Sequence, residues 1–325
     1  MILITGAAGF IGSSLALRLV EQGRHVIGVD NLNDYYSRTL KRDRLARLAG
    51  NKAFEFYNVD IADMSALSHL CQNQNPKQIV HLAAQAGVRY SIENPAAYVH
   101  SNLVGHSNML ELARQFGVAH MVYASSSSVY GGNSEVPFSE SQQTDNPVSF
   151  YGATKKANEV LANSYAHLYG LPLTGLRFFT VYGPWGRPDM AYWLFADAIA
   201  KGQAIHVFNQ GKMMRDFTYI DDIVDGIVAA LDVPPQLDEN SNVAPHHIYN
   251  LGHDQPVKLG DFIALIEGYM GQEAEKIMKP MQDGDVVQTW ANIDYAKQAL
   301  GYKPKTSLKD GLKTFIDWYK DYHAL

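Results

Sequence analysis

Short apolar runs alternate with amphipathic segments through the first half of the chain. Each run is rich in β-prone residues, and each following segment carries apolar residues at helical spacing. The predicted strands cover residues 2–4, 25–29, 54–59, 78–82, 120–124 and 174–178. The predicted helices run from about residue 15 to Gly23 and cover residues 40–48, 66–72, 99–116 and 150–169. This order predicts an α/β fold with a doubly wound parallel sheet and helices on both faces.

The pattern becomes irregular after Thr180, where proline and glycine recur. Helices are predicted over residues 193–201, 223–231, 259–270 and 308–319, strands over 206–208, 215–219 and 248–251, and a loop over 233–245. We interpret the apolar stripe of the last helix as core; it consists of Leu308, Leu312, Phe315, Ile316 and Tyr319. The irregular part predicts a smaller α/β lobe over the carboxyl edge of the sheet. The expected sheet domain holds residues 1–180 and about 216–252, and the smaller lobe holds about 181–215 and 253–325.

Three glycines follow the first predicted strand at three-residue spacing: Gly6, Gly9 and Gly12. Glycine lets the backbone turn tightly and approach a pyrophosphate, and the helix that follows offers free N–H groups at its positive end. The usual fingerprint is G-x-G-x-x-G, and an ordinary strand–helix turn is the alternative interpretation. Asp30 ends the second predicted strand, where an acidic residue binds the adenosine ribose. The combination predicts a dinucleotide-binding Rossmann fold and favours NAD over NADP.

Composition and charge exclude several other classes of protein. The chain has 325 residues, of which 46% are hydrophobic and 18% charged, and a formal net charge of -6 argues against nucleic acid as a partner. The single Cys71 excludes an internal disulfide framework and a cysteine-rich zinc site. No stretch approaches the length of a membrane span, and no basic segment of a signal peptide precedes the first strand. We therefore expect a cytoplasmic protein with no membrane contact.

Tyr151 and Lys155 stand one helical turn apart and therefore share a helix face. A lysine beside a tyrosine stabilises the phenolate, which makes the tyrosine a usable base. By themselves the two residues also fit a solvated helix face. A serine run at residues 125–128 follows the fifth predicted strand and could supply a hydroxyl that shares a proton with Tyr151. Hydroxyl, phenol and ammonium groups beside a nicotinamide form a site that oxidises an alcohol.

Several motifs together resemble the extended short-chain dehydrogenase/reductase family over essentially the whole chain. They are Gly6-x-x-Gly9-x-x-Gly12, His81-Leu82-Ala83-Ala84, the run at 125–131, Tyr151-x-x-x-Lys155 and Arg215-Asp216-Phe217-x-Tyr219. Within that family the chain is most similar to the nucleotide-sugar epimerases, and among these to the UDP-glucuronate 4-epimerases. The more specific stretches are residues 30–36, 86–91 and 177–190.

The resemblance implies that NAD binds to the sheet domain and a UDP-sugar to the smaller lobe. It makes Tyr151 the base and Lys155 its modulator, which also holds the nicotinamide ribose. The catalytic hydroxyl is implied at Ser126, with Ser127 as a rival. The further cofactor contacts implied are Gly6, Gly9, Phe10, Ile11, Gly12, Asp30, Asn31, Asp60, Ile61, Leu82, Ala83, Ala84, Gln85 and Asn102. For Asn102, a purely structural bridge is the alternative.

The same resemblance suggests which residues contact the substrate. Arg215 matches an arginine that meets the UDP diphosphate, where a guanidinium fork suits phosphate, and Asp285 lies where the family contacts the nucleotide. Ser126, Ser127 and Tyr151 would contact the sugar. The candidates for a uronate carboxylate are Thr180, Arg187 and Arg89. Their alternatives are a strand-end cap for Thr180, and surface or diphosphate-binding roles for the two arginines.

The implied reaction is the NAD-dependent epimerisation of UDP-glucuronate to UDP-galacturonate at C4, through a transient 4-keto sugar. Related dehydratases carry an Asp-Glu pair before the Val-Tyr-Gly motif, and related decarboxylases a Glu; Ser127 and Ser128 stand there instead. The alternatives are a UDP-glucose/UDP-galactose 4-epimerase and a non-catalytic protein that binds NAD and a UDP-sugar. Family members usually dimerise through two long helices, here residues 99–116 and 150–169, so a homodimer is expected.

Overall fold

A computed structural model of the chain describes residues 1–236 and 243–325. Its strands are β1 (Ile2–Thr5), β2 (Val26–Asp30), β3 (Phe54–Asn58), β4 (Gln78–His81), β5 (His120–Ser126), β6 (Leu173–Phe178), β7 (Thr180–Tyr182), β8 (Ile205–Val207), β9 (Met214–Tyr219), β10 (His246–Leu251), β11 (Pro256–Lys258) and β12 (Lys276–Met278). Its α-helices are α1 (Phe10–Glu21), α2 (Arg38–Ala46), α3 (Met64–Gln74), α4 (Tyr90–Glu93), α5 (Pro95–Tyr98), α6 (His106–Gln115), α7 (Phe150–Tyr169), α8 (Ala191–Ala200), α9 (Ile220–Asp232), α10 (Leu259–Met270), α11 (Asp294–Leu300) and α12 (Leu308–His323).

The main sheet has seven parallel strands in the order β10-β6-β5-β4-β1-β2-β3. Chain order therefore reverses between β1 and β4, and an open α/β sheet places its ligand crevice at such a point, beyond the carboxyl ends of the strands. Successive residues of β1 serve two separate cores, because side chains alternate across a strand: Ile2 and Ile4 pack on one face and Leu3 on the other. The predicted doubly wound α/β sheet is confirmed.

Two smaller sheets lie outside the main one. β11, β9 and β7 form a three-stranded sheet, and β12 pairs with β8. β9 is thus part of the small sheet, although α9 and β10, which follow it, belong with the main sheet. The chain crosses between the sheets more than once. The division into two domains at residues 180, 216 and 252 stays a prediction.

Some local elements differ from those expected. Residues 99–116 were expected to form one α-helix, but Val99–Gly105 is a π-helix and α6 begins only at His106. The short strands β7, β11 and β12, and helix α11, were not predicted from the sequence. The middle of the loop expected at 233–245, residues 237–242, lies outside the described residues. The apolar stripe of α12 is core as expected, since Leu312, Phe315 and Ile316 are fully buried.

No helix among residues 1–236 and 243–325 is long and apolar enough to cross a membrane.

Candidate active site

One cleft of about 450 Å³ lies along the carboxyl ends of the main-sheet strands. The glycine turn after β1 lines one half, and the segment around residues 178–190 lines the other. Residues 125–128, at the end of β5, stand between these halves together with Tyr151 and Lys155. The polar clusters that follow different strands of the sheet therefore meet in a single crevice, as the parallel topology requires.

The glycine turn leaves space for a bound group because side chains are excluded there. Gly6 has a φ of +74°, and a Cβ on Gly12 would lie 2.0 Å from the carbonyl oxygen of Gly6. Helix α1 starts after Gly9 without a side-chain cap, so its first N–H groups stay available at the cleft, which Phe10 and Ile11 also line. A free helix N-terminus at a side-chain-free turn suits a pyrophosphate.

Asp30 stands beside this turn at the end of β2. Its carboxylate accepts hydrogen bonds from the backbone N–H groups of Ala8, at 3.1 Å, and Leu32, at 2.8 Å. Burial raises the pKa of Asp30, while these bonds and the charge of Lys41 act in the opposite direction. Asp30 therefore joins the glycine turn to the adjoining edge of the cleft, where the ribose of a dinucleotide fits. Asn31 lines the same edge.

The predicted cofactor residues separate into those that line the cleft and those that lie behind its wall. Ile61 and the run Leu82, Ala83, Ala84 and Gln85 line it. Asn102 lies behind the wall: its side chain accepts from the N–H of Gln85 at 2.8 Å and donates to the carbonyl of Gln85 at 2.9 Å. Asp60 also lies outside the lining and accepts from Asn31 at 2.9 Å. In this structure the side chains of both residues brace residues that line the cleft.

Ser126, Tyr151 and Lys155 come together from two elements, the end of β5 and the first turns of α7. The Ser126 hydroxyl stands close enough to the Tyr151 side chain to lower the pKa of the phenol, and its Oγ donates to the Ser128 hydroxyl at 3.1 Å. Lys155 is buried and donates from Nζ to the carbonyl of Ala124 at 2.9 Å. Ser127, the rival to Ser126, lines the cleft as well. The geometry thus groups a hydroxyl, a phenol and an ammonium as the sequence led us to expect.

Burial sets the protonation behaviour of this group. It raises the pKa of Tyr151, while the neighbouring Ser126 hydroxyl and the positive charge of Arg187 act to lower it. Burial also lowers the pKa of Lys155 to about 8, although the carboxylate of Glu159 acts against this shift. The two pKa values therefore move apart, with the phenol of Tyr151 above its usual value and the ammonium of Lys155 below its own.

The second half of the cleft holds Arg187 in a tight ion pair. Its Nε donates to Oδ1 of Asp189 at 3.0 Å and its Nη2 to Oδ2 at 2.5 Å. Nη2 also donates to the carbonyl of Ala86 at 3.3 Å, and the hydroxyl of Tyr35 donates to Oδ2 of Asp189 at 3.0 Å. Thr180, at the start of β7, lines this half too.

Arg215 and Asp285, both predicted to contact the nucleotide, form an ion pair of 2.7 Å that lines the cleft. The guanidinium of Arg215 also donates to the carbonyls of Met214 and Val287 from Nη1, and to that of Val286 from Nη2. Arg89 does not line the cleft. Its guanidinium lies over the ring of Phe208, 4.9 Å from the centroid, so its proposed carboxylate contact finds no support in this structure.

Sequence reasoning missed Arg44, which lies in the helix interpreted only as basic and amphipathic. Its side chain is fully buried and donates to the carbonyls of Ala8, Trp185 and Gly186, at 3.1, 2.9 and 2.6 Å. One guanidinium thus joins the glycine turn to the segment that carries Arg187. Asp189 and Tyr35 were also missed, although both stand in the stretches that carried the family resemblance.

Among the described residues, no group of three or more His, Cys, Asp or Glu side chains could hold a metal ion. The chemistry available is that of a phenol base with its lysine, facing a helix N-terminus that can hold a dinucleotide. Together with the doubly wound sheet, this defines an enzyme of the Rossmann class that uses a dinucleotide to oxidise an alcohol.

Comparison with known proteins narrows the class. The family model described as NAD dependent epimerase/dehydratase family matches residues 2–252, and the chain belongs to this family. NAD is accordingly its cofactor, and the absence of side chains at Gly6 and Gly12 leaves room for the pyrophosphate.

Three relatives are similar over nearly the whole chain. Protein CapI of Staphylococcus aureus is 51% identical, with 99% of each chain covered. A probable UDP-glucuronate 4-epimerase of Rhizobium meliloti is 47% identical over 98% of this chain and 96% of its own. The crystal structure of a UDP-glucuronic acid 4-epimerase from Bacillus cereus, in complex with UDP-glucuronic acid and NAD, matches with a TM-score of 0.90, 36% identity and 99% of each chain covered.

Proposed function

We propose that the protein interconverts UDP-glucuronate and UDP-galacturonate by epimerisation at C4. One observation carries the proposal: Arg187 and Tyr151 line the same cleft, and the positive charge of Arg187 acts to lower the pKa of the phenol. In a hexuronic acid, the carboxylate is attached at C5, next to the C4 hydroxyl that reacts. A cation beside the base therefore matches a uronate better than a neutral sugar. The relatives named above as UDP-glucuronate 4-epimerases support the same substrate.

Tyr151 takes the proton of the C4 hydroxyl, and Ser126 orients that hydroxyl by sharing its hydrogen bond with the phenol. Lys155 stabilises the phenolate electrostatically. Bound NAD supplies the acceptor for the C4 hydride and then its donor. Between the two hydride transfers, the 4-keto sugar turns about its diphosphate link. Tyr151 then returns the proton to the C4 oxygen, which gives the opposite epimer. Net redox change is zero.

The site must hold the UDP part firmly and leave the sugar free to turn. Arg215 and Asp285 line the cleft as an ion pair, and we assign them to the nucleotide. Charge placed there binds both epimers and every intermediate alike, because the UDP part does not react. Thr180 and Arg187 are assigned to the carboxylate. If these residues hold the carboxylate so that its C–C bond is out of alignment with the C4 ketone, they also protect the β-keto acid from losing CO₂.

A neutral sugar is the second candidate, and one contact favours it. Asp189 already neutralises Arg187 through two hydrogen bonds, which reduces the charge offered to a carboxylate. A UDP-glucose/UDP-galactose 4-epimerase would need no carboxylate site at all. The two candidates differ in one measurable property, the preference between UDP-glucuronate and UDP-glucose.

We also propose that the protein is a cytoplasmic homodimer that uses the outer face of α7 and its neighbours. Large apolar side chains on this surface are exposed in the single chain: Val104, Val160, Leu168 and Tyr169, the latter three on α7. Exposed apolar patches of this kind mark interaction surfaces. Sedimentation at equilibrium should give twice the mass of one chain, and Val160→Glu should reduce it to a monomer.

The experiment that tests the function is chromatography of UDP-sugars after incubating the purified protein with UDP-glucuronate, first without and then with added NAD. UDP-galacturonate without UDP-pentose is expected. Conversion of UDP-glucose in place of UDP-glucuronate would reassign the enzyme to neutral sugars. Stoichiometric reduction of added NAD during turnover would contradict the redox-neutral cycle.

A further inference from the structure

Asp189 is an acidic residue paired with the cation to which we assign an acidic substrate group. It is half-buried, and its carboxylate lies against the guanidinium of Arg187, which lines the cleft. The charge of Arg187 and the hydrogen bonds from Arg187 and Tyr35 keep the pKa of Asp189 below its usual value, so it is ionised at neutral pH. This permanent negative charge neutralises part of the charge of Arg187 and competes with a substrate carboxylate for its guanidinium.

We propose that Asp189 is a positioning residue that weakens the hold of Arg187 on the substrate carboxylate, so that the sugar can turn between the two hydride transfers. The inference rests on the proposed function and concerns the same site. It assigns to Asp189 and Tyr35 a role in turnover, beyond the recognition assigned to Arg187.

The hydrogen-bond geometry supports this role. Asp189 occupies the Nε–Nη2 edge of Arg187, one of the two edges through which a guanidinium binds a carboxylate by two parallel bonds. Nη2 donates a further hydrogen bond to the carbonyl of Ala86. Within residues 1–236 and 243–325 no hydrogen bond of Nη1 is found, so this nitrogen remains for the substrate carboxylate, which meets a partly neutralised cation through fewer donors.

Tyr35 keeps the acidic partner in place. Its hydroxyl donates to the same Oδ2 atom that accepts from Nη2, and its ring lies against that of Tyr90, with centroids 4.7 Å apart. The carboxylate of Asp189 is therefore held from two sides. It cannot swing away to leave Arg187 free when a substrate arrives, unless the contact with Tyr35 also breaks.

The chemistry explains why a weak hold is useful. The sugar must present one face for hydride removal and the other for hydride return, so the contacts of its carboxylate before the turn are broken during the turn. Interactions that stabilise one orientation of the bound sugar raise the barrier to leaving it. The UDP part, which we assign to Arg215 and Asp285, need not move.

The test is steady-state kinetics of Asp189→Asn with UDP-glucuronate. The amide keeps the shape and removes the charge. We expect KM and kcat to fall together, each by about threefold or more, because the sugar binds more tightly and turns more slowly. The inhibition constant of UDP-glucose, which lacks the carboxylate, stays unchanged. Asp189→Glu restores the charge and should move both constants back toward those of the unaltered enzyme.

Other outcomes would overturn the inference. If KM rises in Asp189→Asn, Asp189 only positions Arg187 for binding. If Asp189→Asn changes the constants for UDP-glucuronate and UDP-glucose equally, Asp189 supports the fold and does not act on the substrate carboxylate. Asp317→Asn, which removes an exposed partner of Lys313 on α12, is the matched control and should change neither constant. Lack of any turnover of UDP-glucuronate by the unaltered enzyme would instead refute the proposed function itself.

A binding measurement keeps the inference testable if Asp189→Asn does not fold. Tyr151→Phe removes the base and allows affinity to be measured without turnover. We expect this variant to prefer UDP-glucuronate over UDP-glucose by less than about tenfold. A larger preference would mean that Arg187 holds the carboxylate at full strength, and the inference would be wrong.

Discussion

Glu159 binds Arg177 in the interior through two hydrogen bonds of 2.8 Å, from Nε to Oε1 and from Nη2 to Oε2. Ser125, next to Ser126, donates to the same carboxylate at 2.6 Å. Glu159 also lies one helical turn after Lys155 and raises its pKa. The ion pair therefore ties α7, β5 and β6 together directly beneath the reacting groups.

Loss of one partner from this ion pair should be severe. In Glu159→Gln, the charge of Arg177 remains buried without a counter-charge, and we expect the free energy of unfolding to fall by about 3–5 kcal/mol. Urea denaturation measures it. The control is Glu111→Gln, which breaks the exposed pair with Arg114 on α6 and should shift the midpoint little. Similar shifts in both variants would contradict a special role for the buried pair.

The activity should depend on pH through Lys155. Its pKa is lowered to about 8, so the stabilising positive charge is present below that pH and is lost above it. We expect kcat to decline on the alkaline side with an apparent pKa near this value. Glu159→Gln removes the charge that raises the pKa of Lys155, so the decline should begin at lower pH.

Lys156 provides the control for this pH profile. It follows Lys155 on α7 but binds the hydroxyl of Thr144 and the carboxylate of Asp145. Lys156→Gln should leave the alkaline decline where it is. If the alkaline decline in kcat begins at the same pH in Glu159→Gln as in the unaltered enzyme, the decline is caused by a group other than Lys155.

The glycine turn should tolerate no side chain at Gly12. Its Cβ would lie 2.0 Å from a backbone oxygen, so Gly12→Ala must displace the turn that receives the pyrophosphate. We expect loss of bound NAD and of activity, measured by release of the cofactor on denaturation. Gly260, in α10, has open space around the same position, and Gly260→Ala should keep NAD and gain about 0.5–1 kcal/mol of stability from helix propensity.

Arg187→Ala should weaken the binding of UDP-glucuronate much more than that of UDP-glucose. It leaves Asp189 unneutralised beside the substrate carboxylate, so we expect the affinity for UDP-glucuronate to fall by more than about tenfold and that for UDP-glucose by less than about threefold. In the double variant Arg187→Ala/Asp189→Asn, part of the loss should return, because the repulsion is gone. Titration calorimetry measures both. Equal losses of affinity for the two UDP-sugars would contradict the assignment of Arg187 to the substrate carboxylate.

The long regular elements were predictable from the sequence because their periodicity is a local property. The strands of the main sheet and α7 lie close to the expected positions. β7, β11 and β12 have three residues each, a length at which alternation is a weak signal, although β8, which is equally short, was predicted. The π-helix at Val99–Gly105 was missed because a widened turn keeps nearly the same spacing of apolar residues.

The site was predictable where motifs are local and not where partners are distant. The glycine turn and the Tyr151–Lys155 spacing lie within single elements. The pairing of Asp189 with Tyr35 joins residues 154 positions apart, and no pattern within either segment reveals it. Asn102 illustrates the reverse case, since its position near the cofactor wall did not tell whether its amide faces the cleft or braces Gln85 from behind.

Arg44 links the two halves of the cleft through hydrogen bonds of its guanidinium. Its guanidinium is buried, and its bonds to Ala8 on one side and to Trp185 and Gly186 on the other cannot be replaced by water if the halves separate. Each such lost bond costs about 1–3 kcal/mol. These bonds oppose separation of the two halves, so we expect the motion that exchanges one sugar epimer for the other to take place in the ligand and not in the walls of the cleft.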